Sequence, residues 1–218
     1  MTAAKIPVAA GFTLAAEVEW RADAPLAVVC HPHPAFGGRM DTPLVLDLAD
    51  ALAAAGWSTL RFNFRGLDGS GGSPTGGLAE PEDVAAAVEW ARANGAAEVA
   101  LVGYSFGALM AARAVAGGTS VTSLAAVGFP TTILGEDPAR VADLERAVDR
   151  RLPWLFVSGD ADQFSEVDRL RGWVSARPWA RLDVLPGRGH FFGGADAADV
   201  CRRVAEFTVA HASRGSAP

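Results

Sequence analysis

The chain has 218 residues, 50% of them hydrophobic and 20% charged, which suits one domain with a sizeable core. Its 19 Lys and Arg against 25 Asp and Glu leave a net charge of -6, and the cations are scattered, so no basic face exists to neutralise phosphates and nucleic-acid binding is excluded. Two cysteines, Cys30 and Cys201, make no disulfide framework and point to reduced, packed thiols and a cytoplasmic protein. No membrane span is expected: the apolar window 100–118 is interrupted by glycines, Ser105 and Arg113, and the faintly signal-like start is broken by Pro7, Gly11 and Thr13 and followed by Glu17.

In chain order, residues 8–20 alternate partly and predict an N-terminal edge strand or a hairpin around Gly11. Residues 26–30 read as a buried strand that stops against His31-Pro32-His33-Pro34, whose prolines cannot continue a ladder. After the loop 35–38, residues 42–55 carry Leu44, Val45, Leu48 and Leu52 at helical intervals and end at Gly56. Residues 58–64 form the next predicted strand. The Gly- and Ser-rich loop 65–77 that follows is too long for a simple connection, and a phosphate-cradling reading of it fails for want of a Gly-Lys-Ser/Thr triplet. A helix is predicted over 81–94, with Pro81 at its first turn and acidic Glu82 and Asp83 beside it.

Residues 98–110 organise the rest. Val99, Ala100, Leu101 and Val102 form a continuous β-type run, the chain breaks at Gly103-Tyr104-Ser105-Phe106-Gly107, and apolar residues then resume at helical spacing. A serine on a strained strand-to-helix turn needs neighbours without a Cβ two places either side, so this spacing and placement predict a nucleophile elbow at Ser105. Beyond it come strands at 121–129, 154–159 and 181–186 and helices at 167–176 and 196–211, with a short, partly helical crossover at 130–151. Alternation of strands and helices predicts an α/β class domain over residues 1–212, a mostly parallel, doubly wound sheet with helices on both faces, and a flexible tail at 213–218.

In such sheets chemistry collects at the carboxyl ends of the strands. Asp160 and Asp162 follow the strand ending at Gly159, and His190 follows the next one in a glycine-rich loop. Serine is a poor nucleophile without a base in reach, and the base needs a carboxylate to fix its tautomer, so Ser105, one of the two aspartates and His190 fill the three roles in the order nucleophile, acid, base. His211, in the last turn of the terminal helix, is the weaker histidine.

Gly103-Tyr104-Ser105-Phe106-Gly107, together with His31-Pro32-His33-Pro34, the Arg61 to Gly66 run and Gly189-His190-Phe191-Phe192, resembles the α/β-hydrolase superfamily, and more narrowly the small bacterial serine hydrolases called dienelactone-hydrolase-like. The resemblance implies a single-domain α/β-hydrolase fold, with Asp162 rather than Asp160 as the acid and an oxyanion hole made by the backbone amides of His33 and Phe106. Asp68 departs from it, standing where a small residue is expected, and Ser105 stands where dienelactone hydrolases have cysteine. The short crossover leaves room for only a minimal lid, although loop 65–77 and the pair Phe191 and Phe192 are placed to fold over the site as a substitute. The expected function is cleavage of a small-molecule carboxylic ester through an acyl-enzyme, with no metal or cofactor and no membrane partner. A thioesterase or acyltransferase would use the same three residues, and a silent binding protein would keep the elbow without the chemistry.

Overall fold

Apolar runs with no polar alternation are buried on both faces, and in the computed structural model they become the middle of an eight-stranded sheet. The structure describes residues 1–134 and 138–212. In chain order the strands are β1 (Thr2–Val8), β2 (Phe12–Glu19), β3 (Leu26–Cys30), β4 (Ser58–Phe62), β5 (Val99–Tyr104), β6 (Leu124–Val127), β7 (Trp154–Gly159) and β8 (Ala180–Leu185). The helices are α1 (Pro43–Ala54), α2 (Glu80–Ala93), α3 (Phe106–Ala116), α4 (Thr131–Leu134), α5 (Pro138–Val148), α6 (Val167–Ser175) and α7 (Ala195–Ala210).

The spatial order is β1-β2-β4-β3-β5-β6-β7-β8. From β4 to β8 every pairing is parallel, while the β1–β2 hairpin and its junction to β4 are antiparallel. Period-two alternation along β3 and β5 sends Leu26, Val28, Cys30, Val99 and Leu101 into one core with α2, α3, α5 and α6, and Ala27, Val29, Ala100 and Val102 into another with α1 and α7. That is the doubly wound arrangement, with helices on both faces. From β3 the chain builds β4 on one side and later β5 on the other, so the carboxyl ends of β3 and β5 flank the switch point where a crevice opens.

Two regions differ from expectation. The hairpin begins at Thr2, because β1 pairs along its whole length with β2, from Thr2 against Val18 to Val8 against Phe12. Its Ala, Lys and Pro residues carry little β signal, and Pro7 is tolerated because β1 is an edge. Loop 65–77 is not a free flap. The Gly71 N–H donates to Thr13 O at 2.9 Å, Ser70 Oγ accepts from Ala15 N and donates to Asn63 O, and Gly71 and Gly72 lie against the Phe12 ring. At its start the buried Arg65 guanidinium grips the fully buried Asp83 carboxylate, with Nη2–Oδ1 at 2.7 Å, and at its end Glu80 accepts from the Thr75 and Gly77 amides. The loop is thereby fastened to the hairpin and to α2. The expected tail at 213–218 lies outside the described residues.

Candidate active site

Ser105 sits between β5 and α3 at φ 54° and ψ −117°, a conformation that residues with a Cβ rarely adopt. The turn is so tight that a Cβ on Gly103 would lie 2.5 Å from the Ala108 backbone and one on Gly107 2.3 Å from Cys30 O. Glycine at both places is therefore a steric requirement, and it leaves the Ser105 hydroxyl standing in the crevice.

His190 reaches that hydroxyl from the loop after β8. Its Nε2 is 2.9 Å from Ser105 Oγ, and its Nδ1 is 2.8 Å from Asp162 Oδ2. A carboxylate can only accept, so Nδ1 carries the proton and Nε2 is left to accept the serine O–H. Asp162 follows β7, its side chain is 0% exposed, and its other oxygen accepts from Phe164 N at 2.8 Å. Asp160 is turned elsewhere: its Oδ1 accepts from Gly187 N at 2.6 Å and ties the loop after β7 to the loop after β8. Of the two carboxylates, Asp162 stands behind the imidazole.

The imidazole is held on several sides. Tyr104 stacks on it with ring centroids 5.7 Å apart, and its hydroxyl donates to His190 O at 3.1 Å. Burial, with a smaller contribution from the Asp162 charge, pushes the Tyr104 phenol up to about 12, so it remains a donor. Gly128, at φ 54°, closes the ring edge: a Cβ there would meet His190 Cε1 at 3.1 Å. Neither residue has a sequence signature for this role, since the contacts join positions far apart in the chain.

The loop after β3 supplies the opposite wall. The Phe106 N–H is the first of α3 and has no helical acceptor, and the His33 N–H has none among the described residues; both residues line the crevice beside Ser105. His33 Nδ1 accepts from Ala35 N at 3.1 Å, capping a 3-10 turn (Pro34–Phe36), and burial holds this imidazole below its ordinary range. His31, fully buried, donates from Nδ1 to Pro32 O at 2.7 Å and accepts from Phe64 N at Nε2 at 3.1 Å. Loss of hydration lowers its pKa to about 4. Asp68 pairs with Arg39 at the surface, bracing loop 65–77 against the segment before α1. His211 caps α7 through Nδ1 and Phe207 O at 2.8 Å, and lies outside the crevice lining.

The crevice has a volume of about 300 Å³. Among the described residues its lining holds no Lys, Arg, Asp or Glu, and loop 65–77 takes no part in it. Phe192 is buried in the α1 and α7 core, whereas Phe191 is 76% exposed and, with Ile133 of α4, lines the crevice. A wider groove of about 730 Å³ between α1 and α7 contains no serine or histidine, so the smaller crevice is where chemistry is possible. Cys30 and Cys201 are unpaired and buried, and burial raises both thiols, Cys201 to about 12. Among the described residues no group of three or more His, Cys, Asp or Glu is arranged to hold a metal ion, and no helix is long and apolar enough to cross a membrane.

With this fold and crevice, residues 25–202 match the alpha/beta hydrolase domain family, and the chain belongs to it. It is similar to an uncharacterized protein of Rickettsia prowazekii (strain Madrid E), 29% identical over 178 residues that cover 78% of this chain and 73% of that one. Among solved structures it is similar to an alpha-beta serine hydrolase homologue from Coxiella burnetii, at TM-score 0.79 and 27% identity over 94% of this chain and 96% of that one. A Xanthomonas campestris protein described as an a/b serine hydrolase without lid aligns at TM-score 0.77 and 26% identity, covering 100% of this chain and 96% of the other.

Proposed function

We propose that the protein is a serine hydrolase that cleaves small carboxylic esters through an acyl-enzyme on Ser105. The observation that carries this reading is the unbroken chain of hydrogen bonds from Ser105 Oγ through His190 to Asp162, at 2.9 and 2.8 Å. As Oγ attacks the ester carbonyl, His190 Nε2 takes its proton, and Asp162 holds the ring and stabilises the imidazolium. The N–H groups of His33 and Phe106 receive the oxyanion, and the stiff Pro32 and Pro34 peptide keeps the first of them preorganised. His190 then returns the proton to the leaving alcohol, and water repeats the sequence in reverse to release the acid.

A crevice of about 300 Å³ lies at the small end for ligand sites, which supports short substrates. An uncharged lining among the described residues offers nothing to the phosphates of a coenzyme A thioester, so the ester reading is favoured over a thioesterase or acyltransferase. Two buried free thiols support a reducing compartment, the cytoplasm.

Labelling with a fluorophosphonate tests the chemistry directly. The wild-type protein should be labelled once, at Ser105, and Ser105→Ala not at all. An unlabelled wild-type protein would mean a silent binding module that has kept the elbow.

A further inference from the structure

Ester cleavage needs the triad and the amides; it does not need aromatic side chains left in water. Yet Phe191 is 76% exposed and Phe164 39%, and both border the crevice. Two exposed rings packed on the same imidazole beside a reacting centre mark a surface that gains by being covered. Their position relative to His190 says by what. Phe164 lies 4.8 Å from the imidazole at 72° and Phe191 5.3 Å at 87°, centroid to centroid.

The direction of proton transfer assigns the two halves of an ester. His190 Nε2 takes the proton from Ser105 as the Oγ–carbon bond forms. When the tetrahedral intermediate collapses, the carbon–oxygen bond to the alcohol breaks with its electron pair going to that oxygen. The same Nε2–H proton transfers to it, and the acyl group stays on Oγ. The leaving alcohol must therefore lie on the His190 side of Ser105, which is where Phe164 and Phe191 stand.

Resting on the ester-hydrolase reading above, we propose that Phe164 and Phe191 form an alcohol subsite that selects a neutral, flat aromatic alcohol. Two rings offer a broad apolar surface that an aryl group covers by offset or edge-to-face packing. With no Lys or Arg among the described lining residues an anionic alcohol finds no partner there, and with no Asp or Glu a cationic one finds ring faces but no ion pair to replace its hydration.

Benzyl acetate and ethyl acetate share an acyl group and have leaving groups of similar basicity, so the ratio of their kcat/KM reads the alcohol subsite through the acylation step. The wild-type protein should favour benzyl acetate. Phe191→Ala should lower that ratio about tenfold, with Phe191→Leu, which keeps apolar volume without the ring, nearer to Ala than to wild type. Because Phe191 is mostly exposed, its removal should leave the melting temperature close to wild type. A ratio unchanged in Phe191→Ala overturns the subsite, as does a loss that falls on ethyl benzoate against ethyl acetate, which would put the rings on the acyl side. Preference for acetylcholine over its uncharged isostere 3,3-dimethylbutyl acetate overturns the neutral selectivity. Fluorophosphonate labelling separates the two levels: a labelled protein with an unchanged ratio sinks the subsite alone, and an unlabelled one sinks the hydrolase reading with it.

Discussion

The loop after β3 and the loop after β8 each bury a histidine, His31 at 0% exposure and His190 at 4%, but the partners differ in kind. His31 is held between a carbonyl and an amide N–H, two groups that do not titrate, and both its nitrogens are used up. His190 lies between a carboxylate and a hydroxyl: its Nδ1–H donates to Asp162, its Nε2 lone pair accepts from the serine O–H, and the Asp162 charge beyond Nδ1 would balance a proton taken up at Nε2. One ring is a strut that fixes the loop after β3 to the end of β4. The other bridges two side chains that, on the proposed mechanism, exchange a proton through it. Burial alone does not separate a structural histidine from a reactive one; the chemistry of the two partners does.

The largest effect comes from breaking the reactive ring's chain of contacts. Ser105→Ala and His190→Ala should each reduce turnover by several orders of magnitude while the protein stays folded, and wild-type activity should fall on acidification, since a protonated Nε2 cannot accept from serine. Steady-state rates with a p-nitrophenyl ester, alongside circular dichroism, check both. Next, Asp162→Asn should cost about 10³- to 10⁴-fold in kcat by favouring the wrong tautomer, whereas Asp160→Asn should leave the rate within a few fold and lower the melting temperature. Full activity in Asp162→Asn would exchange the two assignments.

His31 sharpens the comparison through stability. Its folded pKa of about 4 lies below the ordinary 6.5, so in that window the unfolded chain binds a proton that the native state refuses. Stability is then whole above about pH 6.5 and drains as pH falls toward 4, by about 3 kcal/mol at most. Denaturant titrations of wild type and His31→Gln from pH 7 to 4 should show a shallower loss in the variant; parallel curves would mean that His31 contributes no such dependence. The smallest effect concerns the acyl group. With α4 and α5 the only cover among the described residues of the crossover, each further methylene gains less than the full ~0.8 kcal/mol. The rate along a p-nitrophenyl ester series should therefore peak between acetyl and hexanoyl, with no jump above the critical micelle concentration. A steady rise to long chains would argue for a deeper acyl site.

The elbow was legible because two periodicities meet at Ser105: unbroken β-type residues before it and helical spacing after it, with glycine at the two places where a Cβ would strike backbone. Strand-end placement pointed to His190, which meets Ser105, and to two aspartates, one of which meets His190. It could not choose between them by itself, since both follow the same strand and their difference is only the direction in which each carboxylate points. Tyr104, Gly128 and Phe164 were invisible for a related reason: each acts on His190 across a long stretch of chain and leaves no local pattern. The hairpin around Gly11 was legible, but the reach of β1 back to Thr2 was not, because Ala, Lys and Pro are poor strand formers that pairing with β2 overrides. The length and position of loop 65–77 suggested a segment able to fold over the site, whereas two of its glycines make room for the Phe12 ring and the loop is fastened to the hairpin.

Holding Ser105 at φ 54° costs of order 1–3 kcal/mol, against a margin of roughly 5–15 kcal/mol for a whole domain. Every folded copy carries that distortion, at rest as well as at work. The surroundings are accordingly overbuilt: β5 is buried along all six residues, and nine of the eleven residues of α3 are buried behind the turn. Ser105 is thus a point of strain in the chain, as are Asp23 and Arg151 at nearly the same φ, but it alone of these three lines the crevice. Ser105→Gly, which ends the chemistry, should give a protein that melts no lower than the wild type, because glycine accepts this backbone without strain. On the proposed mechanism, greater durability and loss of activity therefore run in the same direction at this one position.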